Sequence, residues 1–177
     1  GIYVYGGYNS ITNLIEGCSV QITGKIGYYY GSLQITDINS DSQISILSPV
    51  DKNQIVTREE KISNIDDAYS KIGSLVTLHN LTVYDYNDSQ NNSATTLKCH
   101  YIDENGNQKQ FNVRIAKEIA LYDPITKKQI SSGEYFVGKT FETITGMLAY
   151  YNGADKTPYS NGHMQLALSS MDDVIFK

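Results

Sequence analysis

The chain has 177 residues, 40% hydrophobic and 19% charged, with 14 Lys+Arg against 19 Asp+Glu and a formal charge of −5. Enough apolar surface is present to offset chain entropy, which excludes a disordered ground state, and no apolar run approaches the ~18 residues of a membrane-spanning helix. Residues 1–94 carry 5 basic and 10 acidic side chains and residues 95–177 carry 9 of each, so neither half offers the broadly basic surface from which phosphate binders draw most of their affinity.

Fifteen Tyr, no Trp and only 3 Pro, with abundant Ile, Val and Thr, bias the chain toward strands. Residues 2–5 form the first expected strand, closed by Gly6-Gly7, and residues 11–16 a turn. Residues 18–30 alternate, with Val20, Ile22, Ile26 and Tyr28 on one face and Gln21, Thr23, Lys25 and Tyr29 on the other. That period of two marks a half-buried strand, and Gly24 within it suits a bulge or tight bend. After a turn at Gly31-Ser32, strands continue over 33–38 and 43–47. Thr57-Arg58-Glu59-Glu60 matches a capping box, and Ile62, Ile65, Tyr69 and Ile72 follow at helical spacing before Gly73, so one or two short helices are expected there. Strands are then expected over 75–86, 95–102, 109–115, 140–151, 164–168 and 174–176; Asn105-Gly106 makes a hairpin of the second and third, and Pro124 forbids a continuous helix over 116–133.

The most informative feature is a repeat. Ile22-Thr23-Gly24-Lys25-Ile26-Gly27-Tyr28-Tyr29-Tyr30-Gly31 and Ile144-Thr145-Gly146-Met147-Leu148-Ala149-Tyr150-Tyr151-Asn152-Gly153 agree at six of ten positions, 122 residues apart. Leu33-Gln34-Ile35 follows the first copy and Met164-Gln165-Leu166 the second. A repeat fixes the architecture. Around the second copy lie five strands with an irregular insert between the third and fourth, the order of an OB-fold barrel. Around the first only the third, fourth and fifth strands are present. The expected fold is therefore all-β, two tandem OB-fold-like five-stranded barrels, the first lacking its leading strands, with short helices between. The boundaries are 1–56 for the partial barrel, 57–73 for the linker and 74–177 for the complete barrel. A barrel cut in this way leaves a bare strand edge near Ile2 and Tyr5, open to pairing with preceding residues or a neighbouring molecule. The opening Gly-Ile-Tyr-Val-Tyr, without a Met start or signal peptide, reads as part of something longer.

Gly1-Ile-Tyr-Val-Tyr-Gly, Gly17-Cys-Ser-Val-Gln-Ile-Thr-Gly-Lys-Ile and Tyr30-Gly-Ser-Leu-Gln-Ile resemble the OB-like modules of secreted bacterial proteins, among them modules attached to extracellular nucleases and modules of surface lipoproteins. Gly73-Ser-Leu-Val-Thr-Leu-His-Asn-Leu-Thr-Val is similar to the opening strand of such a module and Phe111-Asn-Val-Arg-Ile to its third. The resemblance implies an extracellular, cell-surface or periplasmic location and a non-catalytic accessory role, in some cases nucleic-acid binding.

The residues give little chemistry. His79, His100 and His163 are scattered, and there is no GxSxG, HExxH or phosphate-loop motif. Asp172-Asp173 point to opposite faces if extended; Asp37 with Asp41, or Asp85 with Asp88, are loop oxygens of the kind that hold calcium, but solvated turns explain them as well. Cys18 and Cys99 lack metal-ligand spacing and read as free thiols. No enzyme activity, cofactor or metal is expected. Binding fits better: an OB fold takes ligands across its second and third strands and the flanking loops. Here these are Lys98, His100, Tyr101, Phe111 and Arg114 on the strands and Lys156 and Tyr159 on the loop 152–162. Aromatic and basic groups together suit a single-stranded nucleic acid; a Tyr- and Asn-rich rim also suits an oligosaccharide. The expected role is a non-catalytic binding or spacer module, with single-stranded nucleic-acid or oligosaccharide binding as the alternative.

Overall fold

Period-two alternation of apolar and polar residues dictates strands, and in the computed structural model strands dominate. It describes residues 1–6, 14–62, 65, 69–89, 94–153 and 162–177, apart from the side chain of Gln54. The strands are β1 (Tyr3–Val4), β2 (Ser19–Ile22), β3 (Lys25–Tyr29), β4 (Ser32–Thr36), β5 (Ile44–Ser48), β6 (Arg58–Glu59), β7 (Leu75–Asp88), β8 (Ala94–Ile102), β9 (Gln108–Ala116), β10 (Thr140–Tyr151), β11 (His163–Leu168) and β12 (Val174–Phe176). Among the described residues, helical structure is confined to single 3-10 turns.

Strands β7 to β11 close a barrel. Neighbours run β7, β8, β9, β11, β10, and β10 returns to β7. All pairs are antiparallel except β9 with β11, which is parallel. A parallel pair needs a crossover, supplied here by the long segment 117–139 and β10. Closure leaves no bare edge in this ring. Alternate residues fill the interior: Leu97, Cys99 and Tyr101 from β8, Phe111, Val113 and Ile115 from β9, Ile144, Leu148 and Tyr150 from β10, and Met164, Leu166 and Leu168 from β11 are all buried. The 3-10 turn Gly133–Phe136 inserts Phe136, fully buried, into one end. Its ring lies 6.1 Å from Phe176, which stacks on Phe141 at 5.5 Å. Asp88 fastens that plug. Its carboxylate accepts from Thr95 Oγ1 at 2.7 Å, Ser132 Oγ at 2.7 Å and the Gly133 amide at 3.2 Å. Burial works against the charge, yet these bonds outweigh it and hold the carboxyl below its ordinary range.

The N-terminal residues form two smaller sheets: three strands in the order β1, β4, β3, and the antiparallel pair β2 with β5. β1 runs parallel to β4, and β3 antiparallel to it. The registers match those of the barrel. Lys25, Ile26, Gly27, Tyr28 and Tyr29 face Thr36, Ile35, Gln34, Leu33 and Ser32. Met147, Leu148, Ala149, Tyr150 and Tyr151 face Ala167, Leu166, Gln165, Met164 and His163. Tyr3 and Val4 lie on Gln34 and Ile35, as Asn112 and Val113 lie on Gln165 and Leu166. Ile22 faces Ile44 as Ile144 faces Val174.

Two expectations are corrected. Among the described residues no helix begins at Thr57: Arg58 and Glu59 pair as β6 with Val76 and Thr77 of β7. The Glu60 amide donates to the Thr77 carbonyl at 3.1 Å, and its side chain pairs with Lys71 rather than reaching back to Thr57. Sheet pairing thus takes the groups that a capping box would use. A 3-10 turn does form at Tyr69–Lys71. The single strand foreseen over 18–30 is divided at Thr23-Gly24 into β2 and β3, which belong to different sheets. Of the turn foreseen over 11–16, residues 11–13 lie outside the described residues and Glu16 enters a turn with Gly17.

Candidate functional site

The outer face of β8 and β9 is set by parity. On β8 Thr96, Lys98 and His100 alternate with the buried Leu97, Cys99 and Tyr101; on β9 Asn112 and Arg114 alternate with the buried Phe111, Val113 and Ile115. Lys98 therefore sits opposite Asn112, Thr96 opposite Arg114 and His100 opposite Gln110. Of the residues foreseen as a binding face, Lys98, His100 and Arg114 share this surface. Tyr101 and Phe111 do not: at 4% and 3% exposure they belong to the barrel core, one position out of phase with the rest. Lys156 and Tyr159 lie outside the described residues.

Lys98 is held by Asp85, Nζ to Oδ2 at 2.7 Å. The hydrogen bond from Lys98 and a second from the Tyr86 amide lower the Asp85 carboxyl below its usual range, while Asp85 raises the Lys98 ammonium. His100 leans on Tyr84 with ring centres 5.9 Å apart, and its buried Nδ1 has no hydrogen-bond partner among the described residues. Cys99 beneath is buried, and burial pushes its thiol up to about 12; Cys18 is half-buried, and both are free thiols.

The surface continues beyond the residues that sequence reasoning selected. Asn112 Nδ2 lies 2.9 Å from His163 Nε2 on β11. The His163 ring lies 5.9 Å from Tyr151, Tyr151 lies 5.4 Å from Tyr30, and Tyr30 lies 4.2 Å edge-on from Tyr29. Tyr29 is 59% exposed. Its phenol is raised above the ordinary range, first by the hydrogen bond with Tyr30 and then by partial burial, while Arg114 is close enough to pull the other way. The result is a row of rings and amide and cationic side chains: Tyr29, Tyr30, Tyr151, His163, Asn112, with Arg114 and Lys98 alongside. The turn between β3 and β4 is docked against the barrel here, the Asn152 amide donating to the Tyr30 carbonyl at 3.0 Å. Gly31 carries φ +80°, and a Cβ on it would come within 2.6 Å of the Asn152 side chain, so the close approach requires glycine. The period-two rule applied to residues 109–115 would have found Asn112; His163 and the tyrosines were legible only as repeat features, because their convergence depends on tertiary docking.

A concavity of about 310 Å³ opens near the β8–β9 turn, lined by Glu60, Lys61, Ile62, His79, Asn80, Ile102, Asp103 and Glu104. His79 Nε2 lies 2.5 Å from Glu59. Asp103 accepts from the Asn105 and Asn107 amides at 2.9 and 2.8 Å, bonds that shape the turn. Three carboxylates against the single ammonium of Lys61 make this groove a poor host for an anion. Among the described residues, no group of three or more His, Cys, Asp or Glu side chains is arranged to hold a metal. Asp172, one of the adjacent acids, is engaged by Lys127 at 2.6 Å, and no described helix is long and apolar enough to cross a membrane.

No family model matches the chain, and no curated protein matches it.

Proposed function

We propose that this chain is a non-catalytic binding module of a secreted or surface bacterial protein, built on an OB-type barrel with a second, incomplete copy ahead of it. Five strands closing on themselves, with the insert between the third and fourth, support the OB reading. The coincidence of strand registers between β1, β4, β3 and β9, β11, β10 supports the duplication. The carboxylates and lysines best placed for chemistry are instead bound to one another or to backbone amides, as at Asp85, Asp88, Asp103 and Asp172.

The observation that carries the reading is the row from Tyr29 to Asn112, in which Tyr29, Tyr30 and His163 are exposed and Tyr151 and Asn112 half-buried. Flat rings beside amide donors suit a neutral, ring-bearing polymer, and an oligosaccharide fits this face together with the overall charge of −5. A second reading, a single nucleic-acid strand, is favoured by Arg114 and Lys98, cations on the same outer face as Asn112, since basic groups beside stacking rings suit such a strand.

Tyrosine fluorescence reads both, since the chain has no Trp. Titration with neutral oligosaccharides and with a deoxythymidine oligomer, each at low and high salt, is expected to give saturable quenching by the sugar that salt leaves unchanged. Tyr151→Ala is expected to weaken it on the order of tenfold, the scale of one stacked ring. Quenching by the oligomer that falls steeply with salt selects the second reading. No response to either ligand removes this face as a binding site.

A further inference from the structure

Side chains that fill the closed barrel have exposed counterparts in the N-terminal unit. Ile26 occupies the register position of Leu148, and Tyr28 that of Tyr150. Leu148 is 0% exposed and Ile26 64%; Tyr150 is 4% and Tyr28 42%. Ile2, one residue before Tyr3 as Phe111 is one before Asn112, is 37% exposed against 3%. In the barrel the hairpin β7–β8 makes this difference for Phe111 and Leu148, whereas Tyr150 lies against Tyr69, Gly31 and Gly162. Phe111 pairs with Cys99 of β8, and β10 pairs with β7 from Thr140 to Met147. Thr140 to Met147 correspond to residues 18–25, and in the N-terminal unit the edge of β1 and the corresponding edge of β2 have no neighbouring strand among the described residues.

We propose that this open face is completed by a two-stranded antiparallel hairpin of alternating apolar residues, contributed by the same polypeptide ahead of Gly1, giving a second closed barrel. The inference rests on the duplication described above and is independent of what the binding face holds. The barrel itself specifies the occupant. Its gap is spanned by strands of 14 and 9 residues, and β8 leads into β9 through the short turn at 103–107. A hairpin in that position must enter β1 from its N-terminal side, and tethering spares it the entropy of bimolecular association. A second copy of the chain is a poor substitute. Its free edges are strands of 2 and 5 residues, too short for the gap, and its own β7 and β8 are already committed to a closed ring.

The test compares the chain beginning at Gly1 with the chain carrying the residues encoded upstream. Hydrogen exchange of the amides at 3–5 and 18–26 is expected to slow at least tenfold in the longer chain, and binding of a hydrophobic dye to fall. Ile26→Asp is expected to lower the Tm of the longer chain by ~5 °C or more and to leave that of the Gly1 chain unchanged; Ile26→Ala replaces it where the charge prevents folding. The proposal is overturned by equal exchange in the two chains or by equal sensitivity to the substitution. It is also overturned by edge protection in the Gly1 chain that appears only at high concentration, the mark of a second copy, or by a reading frame with no strand-forming residues upstream.

Discussion

Asp123 shows how one side chain fixes an irregular stretch. Pro124 prevents the segment 117–139 from continuing as a helix, and the chain turns instead around the Asp123 carboxylate. The Ile125 and Thr126 amides donate to Oδ1 at 2.7 and 2.9 Å, and the Tyr135 hydroxyl donates to Oδ2. The Tyr135 bond first, and then the Thr126 and Ile125 amides, lower the carboxyl to about 2. A folded-state value below the unfolded one, about 3.9, means stabilisation that is fully present above pH ~4 and is lost as the pH falls toward 2. Asp123→Asn is therefore expected to be less stable than the parent at pH 5, with the gap narrowing at pH 3 and closing near pH 2. Urea midpoints at the three values check this. Other carboxylates with lowered values, such as Asp85 and Asp103, act on both proteins alike and cancel in the comparison. A gap independent of pH would assign the role of Asp123 to shape rather than charge.

At the scale of elements, Gly24 and Gly146 make the same contact in different company. A Cβ on Gly146 would lie 2.7 Å from the Ala167 carbonyl, and one on Gly24 would lie 2.6 Å from the Thr36 carbonyl; Ala167 and Thr36 hold equivalent places in the registers. In both copies the strand crosses its neighbour too closely for a side chain. Gly146→Ala is expected to destabilise the barrel by about 1–3 kcal/mol, the usual penalty for an overpacked site that meets backbone. Gly24→Ala should leave the barrel midpoint unmoved, since its neighbours are Ile35, Thr36 and Ile38. Chemical denaturation followed by far-ultraviolet circular dichroism separates the two. The same elements show what was legible beforehand. β10 and β12 were readable to the residue because turn signals bound them and alternation runs through β10 from Thr143 to Tyr151, past a bulge at Glu142. The division of 18–30 into β2 and β3 was hidden, because Gly24 can mark a bulge or a change of sheet, and only pairing partners decide. Thr57 to Glu60 misled because a capping box states a local preference that an adjacent β7 edge overrides. Tyr101 and Phe111 were grouped with Lys98 and Arg114 by chemistry when parity already placed them on the other side of the sheet.

For the whole molecule, burial is divided very unevenly. Ile38 is the one buried hydrophobic residue described before Ile65, whereas the barrel core holds more than a dozen. Regions with few buried contacts open locally at a free energy well below the global value. The N-terminal sheets of the chain beginning at Gly1 are therefore expected to open first, held mainly by the docking of Tyr30 and Gly31 on Asn152 and Tyr151. Limited proteolysis under native conditions should cut first within residues 14–56, trim the new end and leave a resistant fragment beginning between residues 57 and 74. Mass spectrometry of the digest identifies the boundary. That fragment retains Asn112, Arg114, Lys98, Tyr151 and His163 but lacks Tyr29 and Tyr30, so it should bind the polymer ligand more weakly than the intact chain without losing it altogether. Complete loss would shift the site onto the N-terminal tyrosines, and unchanged affinity would confine it to the barrel. Simultaneous degradation of the whole chain would show instead that the two parts open as one cooperative unit, stabilised across the Tyr30–Tyr151 contact far beyond what its buried surface supplies.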